Sequence, residues 1–71
     1  MTWQTFVREL TEGAWVFNKT TGPDVVIVHA VHGDGHVLDT VWTEDKTRLI
    51  SAQLNGAELG TPQLEEVMTC L

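Results

Sequence analysis

The stretch DVVIVHAVHGDGHVLDTVW, residues 24–42, limits what this chain can fold into more than any other. Two apolar, β-branched runs flank Gly33-Asp34-Gly35. Asp-Gly between such runs is the strongest short-range hairpin signal, because both residues tolerate the positive φ of a type I′ turn. With Asp34 and Gly35 as a two-residue loop, Gly33 faces His36, Val31 faces Leu38, His29 faces Thr40 and Ile27 faces Trp42. The opposite face then pairs His32 with Val37, Ala30 with Asp39 and Val28 with Val41. A three-residue loop pairing His32 with His36 is the bulged alternative.

The same stretch carries all three histidines of the chain. His29 and His32 point to opposite faces, since side chains alternate along a strand. His29 and His36 share a face but stand about 13 Å apart at strand rise, whereas zinc holds its ligands at about 2 Å. Only the bulged loop brings His32 and His36 together with Asp34. The histidines are therefore expected as exposed or rim residues, with no metal and no other cofactor. Gly-Asp-Gly also lacks the GxGxxG spacing, and no helix starts after it to receive a phosphate at its N-terminus. Ser51, the one serine, has no Gly-x-Ser-x-Gly elbow around it. Asp39 has no partner in this register, so no catalytic residue is assigned and the chain is read as a non-enzyme.

Before the hairpin, residues 2–12 place Trp3, Phe6, Val7 and Leu10 at i, i+3, i+4 and i+7, one apolar stripe of a helix. Thr2 can cap its start, and Gly13 offers a left-handed stop. Residues 14–19 read as a first strand ending at the Thr-Thr-Gly-Pro turn signal. Residues 24–32 and 36–44 form the hairpin, 43–46 a turn, and 47–54 a fourth strand. Asn55 to Gly60 read as a 3₁₀ turn and a short fifth segment. Thr61 caps a last helix over 62–70, with Pro62 at its first position. There Leu64, Val67, Met68 and Leu71 repeat the apolar stripe.

At 71 residues this is a single domain. So short a chain buries only about 60% of its unfolded surface, and the lone Cys70 can form no internal disulfide. The single thiol fits a reducing cytoplasm. No run of about 18 apolar residues is present to span a membrane. Four basic residues against ten acidic give a net charge of −6. Arg8, Lys19, Lys46 and Arg48 are scattered, which argues against a grip on nucleic-acid phosphates.

Short strands joined by tight turns suit a small SH3-like antiparallel β-barrel over residues 14–60, flanked by the two helices. Both faces of the central hairpin are apolar, so both need cover: one closes as the barrel core, and the helices cover the other. Residues 13–59 add a resemblance. Gly13, Val16, Lys19, Gly22, Pro23, Gly35, Val41, Trp42, Leu54 and Leu59 fall in the order seen in the YodC-like small bacterial proteins, with Leu54 where that family has an aromatic. The resemblance implies an SH3-like barrel and no defined activity.

These features point to a non-catalytic protein–protein interaction module of bacterial or phage origin. Barrels of this size bind through loops and rim aromatics, so Trp15, Phe17, Asp39, Glu44 and Asp45 are the candidate contact residues, although Trp15, Phe17 and Trp42 also suit a core. The helix stripes, through Trp3, Phe6, Leu64 and Met68, offer a seam for a homodimer. The alternative is a small acidic inhibitor of phage or mobile-element type, whose carboxylates occupy an Arg/Lys site built for phosphates.

Overall fold

A computed structural model describes residues 1–70; Leu71 of the C-terminal stripe lies outside them. The elements run α1 (Trp3–Glu12), β1 (Trp15–Thr21), β2 (Val25–His32), β3 (Val37–Thr43), β4 (Leu49–Leu54), β5 (Ala57–Leu59) and α2 (Thr61–Cys70). The five strands form one antiparallel sheet in the order β1-β2-β3-β4-β5. This is mainly β structure with two flanking helices. The sheet is open: β1 and β5 are its edges and do not pair, so the closure expected of a barrel is not made.

The hairpin forms with the bulged loop and not the two-residue one. His32 N–H donates to His36 O at 2.8 Å, and Gly35 N–H to His32 O at 2.8 Å. Gly33 and Asp34 make an ordinary turn, and Gly35 alone takes positive φ, at 95°; this is the turn-plus-left-handed-residue loop of three. The pairs are therefore Val31–Val37, Ala30–Leu38, His29–Asp39, Val28–Thr40, Ile27–Val41 and Val26–Trp42. A one-residue slip moves one strand's side chains to the opposite face relative to its partner. The observed register gathers Val26, Val28, Ala30, Leu38, Thr40 and Trp42 on one face, all buried. The two-residue register would have set Trp42 and Leu38 on the face away from Val26 and Val28. Core packing decides for the longer loop.

The positive-φ pair expected at Asp34-Gly35 occurs instead at Asn55-Gly56, with φ of 52° and 85°. These two residues join Leu54 to Ala57 in a tight β4–β5 hairpin, in place of the 3₁₀ turn that the sequence suggests. Asn55 also pins this turn to β3: its N–H donates to Val37 O at 2.7 Å, and its Oδ1 accepts from Val37 N–H at 2.9 Å.

Both helices pack on the Trp42 face. Thr2 caps α1, its Oγ1 accepting from Thr5 N–H at 3.1 Å. Phe6 and Leu10 of α1 and Leu64 and Met68 of α2 are buried with Trp42 in one core. Trp3 meets Trp42 edge to face at 5.3 Å between centroids, and Phe6 lies 5.2 Å from Trp42. The Trp42 indole N–H donates to Thr40 Oγ1 at 3.0 Å, which satisfies both of these buried groups. Side chains of this size contribute roughly 1.5–3 kcal/mol each on full burial. The stripes that suggested a homodimer seam are thus used inside the monomer. Gly13 is extended (φ −88°, ψ −174°) and makes no left-handed stop. A Cβ there would meet Trp15 and the Glu9 carbonyl at 3.0 Å, so packing is what requires a glycine. α2 begins one residue early, with Leu64 N–H donating to Gly60 O at 3.0 Å. No helix among the described residues is long and apolar enough to cross a membrane.

Candidate functional site

Because the helices sit on one side, the sheet's other face carries no element of the described chain. Strand pairing assigns its residues. A polar row crosses all five strands in register: Asn18, His29, Asp39, Gln53 and Glu58. On the side of the 33–35 loop an apolar row runs Val16, Val31, Val37. On the other side the row is Thr20, Ile27, Val41, Ser51. Val16 is 79% exposed, Ile27 38% and Val31 37%. Trp42 pairs with Leu49 and Val41 with Ser51, which leaves Ile50 as a bulged residue, also exposed.

At the middle of the polar row His29 Nδ1 lies 2.6 Å from Asp39 Oδ1. Both side chains are about half exposed, at 52% and 44%. Asp39 therefore has a partner, which the two-residue register denies it by placing it opposite Ala30. An imidazole oriented by a carboxylate is the base half of a hydrolytic triad. Here the pair stands on a sheet face. Concave surface is found elsewhere, around Thr43, Glu44, Asp45, Thr47 and Arg48, and between Met1–Gln4 and residues 45–47.

The other candidate contact residues are dispersed. Trp15 is buried on the helix side, its ring edge-on to His32 at 5.0 Å, and offers no rim aromatic. Phe17 is half-buried against the same core. Glu44 and Asp45 lie in the β3–β4 turn, away from the polar row. Asp45 organises that turn: its carboxylate accepts from Thr43 Oγ1 at 2.7 Å, Thr47 Oγ1 at 2.7 Å and Thr47 N–H at 3.1 Å. The Thr47 hydroxyl first, and then the Thr43 hydroxyl and the Thr47 amide, draw its pKa down from 3.8 to about 2. Lys46, in the left-handed region at φ 65°, sets its ammonium 5.6 Å above the Trp3 ring.

The histidine loop also departs from expectation. His32 is buried and not at the rim, its Nδ1 accepting the Asp34 N–H at 3.1 Å, with the Asp34 carboxylate 3.4 Å away. His36 Nδ1 lies 3.1 Å from the Asn55 side-chain amide. The two imidazole centroids are 6.3 Å apart. Among the described residues no three His, Cys, Asp or Glu side chains converge in a way that would hold a metal ion. Comparison of the chain with protein-family models, curated proteins and solved structures returns no match.

Proposed function

We propose that this chain is a non-catalytic protein–protein interaction module and that its contact surface is the helix-free face of the sheet. The observation that carries the reading is the exposure of Val16, Ile27 and Val31 on either side of a polar row, on a face with no helix over it. Small domains gain most of their stability by burying such side chains, and apolar side chains left exposed together on one face mark an interaction site. The His29–Asp39 pair gives this surface a fixed donor and acceptor, which confer orientation and specificity more than affinity. The five-strand meander has the strand count of an SH3-like barrel in an opened form. The likeness of residues 13–59 to the YodC-like proteins, and a cytoplasmic setting suited to the single thiol Cys70, belong to the same proposal.

The test is chemical cross-linking and affinity capture with the tagged protein, comparing wild type with Val16→Lys and Ile27→Lys. Protein binding should survive high salt and vanish in both variants, while Glu66→Lys on α2 keeps it. Binding that only Glu66→Lys abolishes, or that salt alone elutes, would assign the surface to the acidic helices and favour an inhibitor of basic sites.

A further inference from the structure

We propose that the occupant of the helix-free face is a second copy of this chain, packed sheet on sheet about a two-fold axis that runs parallel to the strands between β2 and β3. The inference rests on the reading of this face as the contact surface. Its warrant is that β2 and β3 are chemically complementary at their three central positions on this face. The axis lays β2 of one copy over β3 of the other, and β1 over β4. His29 then meets Asp39 of the second copy, Ile27 meets Val41, and Val31 meets Val37. Asn18 meets Gln53, and Thr20 meets Ser51. Across the middle of the sheet apolar groups face apolar groups, amides face amides, and the imidazole faces a carboxylate; at the ends Val25 meets Thr43 and Val16 meets Asn55.

Two other symmetric placements fail on charge. An axis along β3 would bring Asp39 onto its own copy. An axis along the polar row would set Asp39 on Asp39 and His29 on His29, and like charges across an interface select against a partner. The chosen axis also leaves Glu58, on edge strand β5, outside the overlap. Asp24, Asp34, Glu44 and Asp45 lie in the turns at the two ends of the sheet, where packed twisted sheets splay apart. Glu9, Glu12, Glu65 and Glu66 belong to helices on the far side of the sheet, and exposed charges more than about 8 Å apart are largely screened at physiological salt. Two twisted sheets facing in this way pack with strands roughly 30° apart, about 10 Å between layers, so the central residues of β2 and β3 make the closest contacts.

Area sets the strength. Four strands at about 4.8 Å spacing and five residues at about 3.3 Å rise give a footprint of roughly 19 by 17 Å. Over the two copies that footprint is about 650 Å², below the roughly 1,000 Å² of a stable specific interface and in the range of weak, transient contacts. So small a contact is weak and reversible, and the proposal sets its Kd at about 10–100 μM.

Sedimentation velocity of the full chain from about 5 μM to about 1 mM, spanning that Kd, tests this. The wild type should pass from monomer to dimer, and Ile27→Lys should stay monomeric with an unchanged circular-dichroism spectrum. His29→Asp should weaken association by about tenfold or more, through carboxylates facing each other. The exchange His29→Asp with Asp39→His should restore it to within about threefold, because both the internal and the cross-copy pairs are rebuilt. A wild type that stays monomeric to about 1 mM, a dimer that survives Ile27→Lys, or an exchange that fails to rescue would each overturn the second-copy assignment. A monomeric wild type whose cross-linked protein partners disappear in Val16→Lys would overturn only this inference and leave the interaction module standing.

Discussion

His29 and Asp39 face each other across β2 and β3, with the imidazole Nδ1 2.6 Å from the carboxylate Oδ1. The contact exists only in the register set by the three-residue loop. Because both groups are half exposed, their coupling is modest. A double-mutant cycle with His29→Ala and Asp39→Ala should return about 0.2–1 kcal/mol, read by urea unfolding of the monomer. A coupling of zero would mean that the pair does not meet in solution.

The buried Trp42–Thr40 bond should be worth more. Thr40→Val keeps the shape but removes the acceptor of the indole N–H, which no water can then reach. The cost should be about 1–3 kcal/mol. Thr40→Ser keeps the oxygen and should lose less. The measurement is urea denaturation followed by tryptophan fluorescence.

The loop makes its own prediction. Gly35 holds a φ of 95°, so Gly35→Ala should destabilise by about 1–2 kcal/mol even though nothing crowds the new Cβ. At Gly33 the φ is not in that region and the nearest atoms would lie at 3.8 Å. Gly33→Ala should therefore be neutral, or stabilise by up to about 1 kcal/mol through the unfolded chain. Thermal melts check this: a Gly35→Ala variant that melts no lower than Gly33→Ala would contradict the left-handed backbone at position 35.

Acid should loosen the β3–β4 turn. The Asp45 pKa is lowered in the folded chain, from 3.8 to about 2. The stabilisation it brings is therefore fully present above its unfolded value and is lost as pH falls from about 4 toward 2. Asp45→Ala should lower the melting temperature at neutral pH, and the gap between variant and wild type should close over that acid range. A gap of constant size down to pH 2 would show that the three hydrogen bonds do not discriminate between the charged and the neutral carboxyl.

Much of this fold is legible in the sequence, and the exceptions have physical causes. The helices are legible because Trp3, Phe6, Val7 and Leu10, and Leu64, Val67 and Met68, keep one face at helical spacing. The hairpin is legible in its place but not in its register. Val26 beside Ile27, and Val37 beside Leu38, make both faces apolar, so a one-residue slip costs nothing in the pattern; only packing of Trp42 against Phe6 and Trp3 resolves it. The partner of Asp39 and the polar row follow from that register and are hidden with it. The apolar second face suggests a closed barrel, because a sheet apolar on both sides needs cover. In the monomer that face is bare. The β4–β5 hairpin does have a signal, Asn55-Gly56, the strongest pair for a type I′ turn. The capping role of Asp45 is likewise foreshadowed by threonines two residues to either side.

The most direct test of the helix-free face is to follow amide chemical shifts while the protein is concentrated from about 20 μM to about 1 mM, across its proposed Kd. Changes should cluster at Val16, Ile27, His29, Val31 and Val41 and leave α1, α2 and the 43–48 turn still. Changes centred on the helices or on that turn would contradict the assignment of this face as the contact surface, and no change at all would contradict self-association through it.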